Sequence, residues 1–157
     1  MTEIGYIAPN TCMARHAKNI FDKYDMDVEI ETGHMEQGVK KAELLLKKGV
    51  KVLISRGGTA QCIRSRINIP VIELPITVED IARAIDKASK FGKRVAIIGF
   101  YNLLKGLEAF NPILNIELKQ VHARDEAEIY KEIVGSKAEG YDVVIGGVIQ
   151  CEFAGKI

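Results

Sequence analysis

One stretch limits the possible folds more than any other: Val50-Lys51-Val52-Leu53-Ile54 runs straight into Ser55-Arg56-Gly57-Gly58-Thr59. Apolar residues dominate the first five positions. Ala60, Ile63 and Ile67 then follow at helical spacing. A buried strand, a tight turn and the first turn of a helix are the elements this order predicts. Paired glycines let a backbone turn at positive φ and let a ligand come close to the chain. A helix start directs unpaired N–H groups and a partial positive charge forward, and Arg56 adds a full charge with a planar fork of donors. These are the parts of an anion site, and they are equally the parts of a plain strand-to-helix turn with a solvated arginine.

The stretch has an echo. Asp142-Val143-Val144-Ile145-Gly146-Gly147-Val148-Ile149-Gln150-Cys151 ends in Gly-Gly-x-x-Gln-Cys, as the first stretch does, and the two glycine pairs lie 89 residues apart. A long, near-constant spacing points to a duplicated unit.

Strand and helix patterns alternate along the whole chain. Glu3–Ala8 reads as a strand, Pro9-Asn10-Thr11 as its break with a helix cap, and Ala17, Ile20, Phe21 and Tyr24 as a helix. Asp27–Glu31 alternates like a strand near a sheet edge. Met35, Val39, Ala42, Leu45 and Leu46 mark the next helix, with Gly49 placed to end it. Pro70–Leu74 is a fourth strand. Thr77-Val78-Glu79-Asp80 resembles a capping box opening a helix with Ile81, Ala84, Ile85 and Ala88 on one face. The cycle then restarts. Arg94–Gly99 and Ile116–Val121 read as strands, with a short helix at Leu103, Leu104, Leu107 and Phe110 between them. Asp125 caps a helix carrying Ala127, Tyr130, Ile133, Val134 and Ala138, and Tyr141–Ile145 is the last strand.

This alternation calls for parallel sheets covered on both faces. The expected fold is α/β: two Rossmann-like three-layer lobes related by an internal repeat. Residues 1–92 form the first, with a hinge helix at 78–91, and 93–157 form the second. The second Gly-Gly loop has no strand after it to match Val71–Leu74, so the second lobe reads as truncated and the chain as a piece of a longer protein. Right-handed crossovers gather the strand-to-helix loops at the strands' carboxyl edge. Loops Pro9–Cys12, Thr32–Met35 and Ser55–Thr59 gather there in lobe one, and Gly99–Asn102, His122–Asp125 and Gly146–Ile149 in lobe two.

Composition narrows the function classes. Twenty-two basic residues face 21 acidic ones without a basic block, so nothing favours direct nucleic-acid contact. No apolar run approaches the roughly 18–20 residues of a membrane span. Met1-Thr2-Glu3-Ile4 lacks a signal peptide's basic start and apolar run. Cys12, Cys62 and Cys151 are odd in number and widely spaced, neither a disulfide framework nor a zinc motif. A reduced, cytoplasmic chain is expected. His16, His34 and His122 are scattered without ligand spacing, so no metal is expected; His34 and His122 fall in or near strand-to-helix turns.

Several segments together resemble one family: Ile54-Ser55-Arg56-Gly57-Gly58-Thr59-Ala60, Ile63-Arg64, Ile69-Pro70-Val71-Ile72-Glu73-Leu74, Asp80-Ile81-Ala82-Arg83-Ala84-Ile85, and later Tyr141–Gly147. They are similar to the N-terminal sensor domain of the propionate-catabolism activator family. The resemblance implies two Rossmann-like lobes that sense a small metabolite, 2-methylcitrate in the namesake. It implies a sigma-54-dependent bacterial transcription activator, with an AAA+ ATPase and a helix-turn-helix domain downstream. No Gly-x-x-x-x-Gly-Lys-Ser/Thr loop occurs here, so this chain is not expected to hydrolyse ATP and needs no cofactor.

On that basis the expected ligand is a small organic acid held in a cleft between the lobes. Ser55, Arg56, Gly57, Gly58 and Thr59 form one wall, with Gly146, Gly147 and Val148 as the matching backbone. Asn10, Thr11 and Cys12 of the first loop and Tyr101 of the fifth join them as candidates. Asn10 reads equally as a helix cap and Cys12 as a small buried thiol. Homo-oligomer formation is left open. The competing reading is a cofactor-independent amino-acid racemase, with Cys62 and Cys151 at equivalent points of the repeat exchanging a proton with the substrate. Each thiol lies four residues beyond its second glycine, about one turn inside a helix, which favours packing over chemistry.

Overall fold

A computed structural model of the chain describes residues 2–99, 107 and 115–157. The expected short helix at 103–110 lies outside the described residues, apart from Leu107. The chain divides into two compact units, Met1–Pro75 and Ile76–Ile157.

The first unit contains β1 (Ile4–Ala8), α1 (Thr11–Lys23), β2 (Val28–Thr32), α2 (Met35–Lys47), β3 (Val52–Arg56), α3 (Gly57–Arg66) and β4 (Val71–Leu74). Its sheet is all parallel, in the order β2-β1-β3-β4. Strand residues alternate between faces. Ile7 and Leu53 point to one face, where Val39, Ala42 and Leu45 of α2 and Ile63 of α3 close the core over them. Tyr6 points to the other face and packs edge-on against Phe21 of α1, ring centroids 6.2 Å apart. Gly5 makes room in the core: a Cβ there would lie 2.7 Å from Leu45 Cδ1 and 2.9 Å from Leu53 Cδ2. As the helical pattern suggested, Gly49 follows α2 in the left-handed region, at φ 100°.

The second unit holds α4 (Val78–Ser89), β5 (Arg94–Gly99), β6 (Glu117–His122), α5 (Glu126–Ala138), β7 (Val143–Ile145) and α6 (Val148–Ala154). Its described strands are parallel in the order β6-β5-β7, the first unit's pattern without a β4 counterpart. Helix α4 starts with the predicted capping box: Asp80 N donates to Thr77 Oγ1 and Thr77 N to Asp80 Oδ2. The sequence reading placed this helix with the first lobe, ending that lobe at residue 92. Its apolar face instead packs on the second sheet, where Ile81 and Ile85 cluster with Ile97 and Leu107. The boundary between compact units is therefore Pro75/Ile76.

Two helical faces differ from their periodicity. In α5 the buried residues are Ile129, Ile133 and Ser136, whereas Tyr130 is 48% exposed and meets Phe153 of α6 edge-on at 5.6 Å. In α1 no residue is buried and Ile20 is 54% exposed; Phe21 of this helix meets Tyr6 of the sheet.

The start of α5 carries a pH-sensitive clasp. Asp125 caps it by accepting from Glu128 N at 2.8 Å, and Glu128 grips the Arg124 guanidinium at 3.0 and 3.1 Å and the Arg124 amide at 2.7 Å. These bonds to Arg124 hold the Glu128 carboxyl at about 2, below its ordinary 4.5. A depressed carboxyl contributes stability above its unfolded pKa and loses it as pH falls through the folded one. The second unit should therefore weaken between about pH 4.5 and pH 2. Glu128→Gln should flatten that part of an acid-unfolding curve followed by circular dichroism, and an unchanged acid limb would refute the assignment.

Candidate functional site

In the first sheet the chain steps from β1 outward to β2 and then returns to β3 on β1's other side. The loops leaving β1 and β3 therefore diverge. A crevice opens between such loops at the carboxyl edge, and open α/β sheets bind their ligands there. Asn10, Thr11 and Cys12 lie on the loop and first turn after β1, and Arg56, Gly57, Gly58 and Thr59 on the loop and first turn after β3. The second sheet has the same switch between β5 and β7, with Gly146, Gly147 and Val148 following β7. Tyr101 lies outside the described residues.

The side chains divide into scaffold and surface. Ser55 is fully buried; its Oγ donates to Ile7 O at 3.2 Å, just beyond the last β1–β3 register pair, Tyr6 and Ile54. Thr59, only 4% exposed, accepts a hydrogen bond from Met35 N at 3.1 Å through Oγ1. Its Cγ2 lies where a Cβ on Gly38 would have to go, so α2 and α3 meet at a glycine. Met35 is held at φ 47°, a region unusual for a side chain of its size, and Thr59 secures it there. Asn10 is the N-cap of α1, its Oδ1 accepting from Met13 N at 2.8 Å. Of the two readings of Asn10, the cap is the one the geometry displays. Thr11 and Cys12 are exposed, so Cys12 is not the small buried thiol of the alternative reading; its Sγ lies 3.8 Å from His16 Nδ1.

The glycines serve different ends. Gly57 sits at φ 58° with open space where a side chain would be, so the turn needs its backbone freedom. A Cβ on Gly146 would collide with the Gln150 side chain and come within 3.1 Å of Ile98 O, so that glycine is needed for room.

Helix starts are normally satisfied by a side-chain cap or a nearby acid. Asn10, Thr77 and Asp125 cap α1, α4 and α5, and α2 carries Glu36 in its first turn. Among the described helices, α3 and α6 have neither. Those are the helices that the two Gly-Gly corners open. At α3 the N-cap residue is Arg56, so a positive side chain borders a positive helix end. The chemistry offered is amide donors and a guanidinium for an anion.

Tyr6 is the neighbour that sequence reasoning missed. Register pairs it with Ile54, so Arg56, two residues further along β3, lies on the same face. Burial pushes the phenol's pKa up and the Arg56 charge draws it partway back. The available signal was a tyrosine in a strand whose neighbours are aliphatic.

The two thiols have different local surroundings. Cys62 is half-buried with Sγ 3.9 Å from Met35 Sδ. Cys151 is exposed as a residue, but its sulfur rests 3.8 Å from Gly146 O, and the loss of water around it pushes the thiol up. His34 precedes α2 at the end of β2 and His122 closes β6. Among the described residues, no group of three or more His, Cys, Asp or Glu could hold a metal ion. No helix among them is long and apolar enough to cross a membrane.

Comparison with known proteins bears on the family and the fold. The sequence profile of the propionate catabolism activator family matches residues 22–157. An NtrC family transcriptional regulator from Clostridium acetobutylicum superposes with TM-score 0.87 at 24% identity, over 99% of this chain and 82% of that one. That similarity establishes the shared fold. A ligand-free, open substrate-binding protein from Clostridium difficile covers 99% of this chain and 72% of its own at 10% identity; its TM-score of 0.41 is too low to bear on function.

Proposed function

This chain belongs to the propionate catabolism activator family, and from that premise we propose that it senses a small di- or tricarboxylate of the 2-methylcitrate kind. It does so as the regulatory part of a sigma-54-dependent transcription regulator acting in the cytoplasm. The carrying observation is the start of α3: a Gly-Gly corner at a topological switch point, bordered by Arg56, with no side-chain cap and no acidic residue in the helix's own first turn. In this reading the Gly57 and Gly58 amides and the Arg56 guanidinium meet a carboxylate. Ser55 and Thr59 act through their hydrogen bonds to Ile7 and Met35, which hold the corner in shape. The Gly146-Gly147-Val148 backbone is proposed as an amide corner of the same kind in the second unit. Sensing of this kind uses no cofactor in this chain.

Binding acts on the AAA+ ATPase and helix-turn-helix domains proposed downstream by favouring one of two conformations, which requires the acid to prefer one of them. No observation favours the two-thiol racemase. Cys151 carries a raised thiol pKa, the opposite of what a thiolate base needs.

The test is a thermal-shift screen of citrate, 2-methylcitrate and related acids. At about 100 times its dissociation constant a ligand adds about 2.7 kcal/mol. For a chain of this length that raises the melting temperature by roughly 5–10 °C. Arg56→Ala should remove most of the rise. No shift with any of these acids, or an equal shift in Arg56→Ala, would sink the reading.

A further inference from the structure

We propose that Tyr6 is a ligand-contacting residue of the first unit's site, its hydroxyl donating a hydrogen bond to a carboxylate oxygen of the acid whose charge Arg56 meets. The inference rests on the sensing function proposed above and adds to it a residue from the sheet itself.

Tyr6 is 2% exposed, in the middle of β1. Its ring has a packing role, edge-on to Phe21. Its hydroxyl makes no hydrogen bond with a described residue, although buried polar groups in native proteins nearly always find a partner. Phenylalanine would fill the same space without that cost. The hydroxyl is also not sealed in. Ser136 Oγ is the fully enclosed side-chain oxygen without a partner among the described residues, and Tyr6 Oη is not one of these. A polar atom in a residue this buried, without a hydrogen-bond partner among the described residues, is placed to receive one from a ligand.

The sheet shows what surrounds it. The helices α2 and α3 cover the face of Ile7 and Leu53, while α1 meets Tyr6 on the opposite face. On Tyr6's face the β3–β4 half carries Ile54, only half-buried, and the exposed Ile72 and Leu74. Register places Arg56 on this same face, at the carboxyl end of β3 and next to the start of α3. Tyr6 and Arg56 therefore share a face beside the switch between β1 and β3, with the Gly57 and Gly58 amides following Arg56 at the start of α3. Burial raises the phenol's pKa, so at neutral pH it is a donor, which suits an anionic acceptor.

The experiment is calorimetric titration of citrate and of 2-methylcitrate into the wild-type chain and Tyr6→Phe, with melting curves of both unliganded proteins. Tyr6→Phe should bind about tenfold more weakly, the loss of one hydrogen bond to a charged group. Its unliganded melting temperature should be unchanged or slightly higher, since an unpartnered hydroxyl has been removed. Equal affinities in the two proteins would overturn the inference and leave the sensing function standing. So would a Tyr6→Phe that fails to fold or melts well below wild type at full affinity, since the hydroxyl would then be structural. Failure of both acids to bind the wild-type chain would overturn the sensing function, and this inference with it.

Discussion

Leu53→Ala should destabilise the first unit by about 2–5 kcal/mol, as truncation of a fully buried leucine does when its surroundings collapse only in part. Leu53 has no exposed surface and lies in β3 among Ile7, Val39, Leu45 and Ile63, beneath both covering helices. Nothing nearby is loose enough to fill the gap: Gly5 beside it already accommodates Leu45 and Leu53 as close neighbours. At the lower end of that range the melting temperature of a unit this size falls by roughly 10 °C. Ile97→Ala is the companion in the second unit, where Ile97 is equally buried among Ile81, Ile85 and Leu107. Differential scanning calorimetry of each variant should show the loss in the unit that carries the substitution. A loss below about 1 kcal/mol for Leu53→Ala would mean that Leu53 is not enclosed by Ile7, Val39, Leu45 and Ile63.

Gly146→Ala should cost the second unit about 3 kcal/mol, the upper range for an added methyl in a packed site. The new carbon would run into the Gln150 side chain, 2.7 Å from its Cγ, and lie 3.1 Å from Ile98 O. Gln150 is buried and anchored on α6, so relief requires moving the helix or the β5 backbone. The parallel substitution Gly57→Ala meets no atoms; it is penalised only by the left-handed backbone, which typically costs about 1–2 kcal/mol. Urea unfolding of the two variants side by side separates steric from conformational demand. A Gly146→Ala no worse than Gly57→Ala would refute the tight corner.

Most of the fold was legible because it depends on local pattern. Apolar runs bounded by glycine or proline marked β1, β3, β4, β5 and β7, alternation marked β2, Thr77-x-x-Asp80 marked a helix start, and Gly49 marked a helix end. The assignment of α4 to a unit was not legible, since Ile81, Ala84, Ile85 and Ala88 define an apolar face without naming the sheet it covers. The outward position of Tyr130 was hidden for a related reason: Ile129 and Tyr130 are adjacent apolar residues, and only three-dimensional packing decides which turns inward. At the candidate site the sequence located the corner but not the duties within it. Ser55 and Thr59 look like ligand hydroxyls in one dimension, yet their bonds run to Ile7 and Met35, far away along the chain. Tyr6 was passed over because strand alternation reports which face a residue is on, and says nothing of an unpartnered oxygen at the end of its ring.

The side taken by α4 also decides where the gene can be divided. A cut at residue 92 would leave the first fragment trailing a greasy helix with no sheet to lie on, and the second with bare isoleucines at Ile97 and Ile145. Both pieces would be prone to clumping. A cut after Pro75 keeps each helix with the strands it shelters, and is the place to split the protein for two-part expression or to insert a reporter.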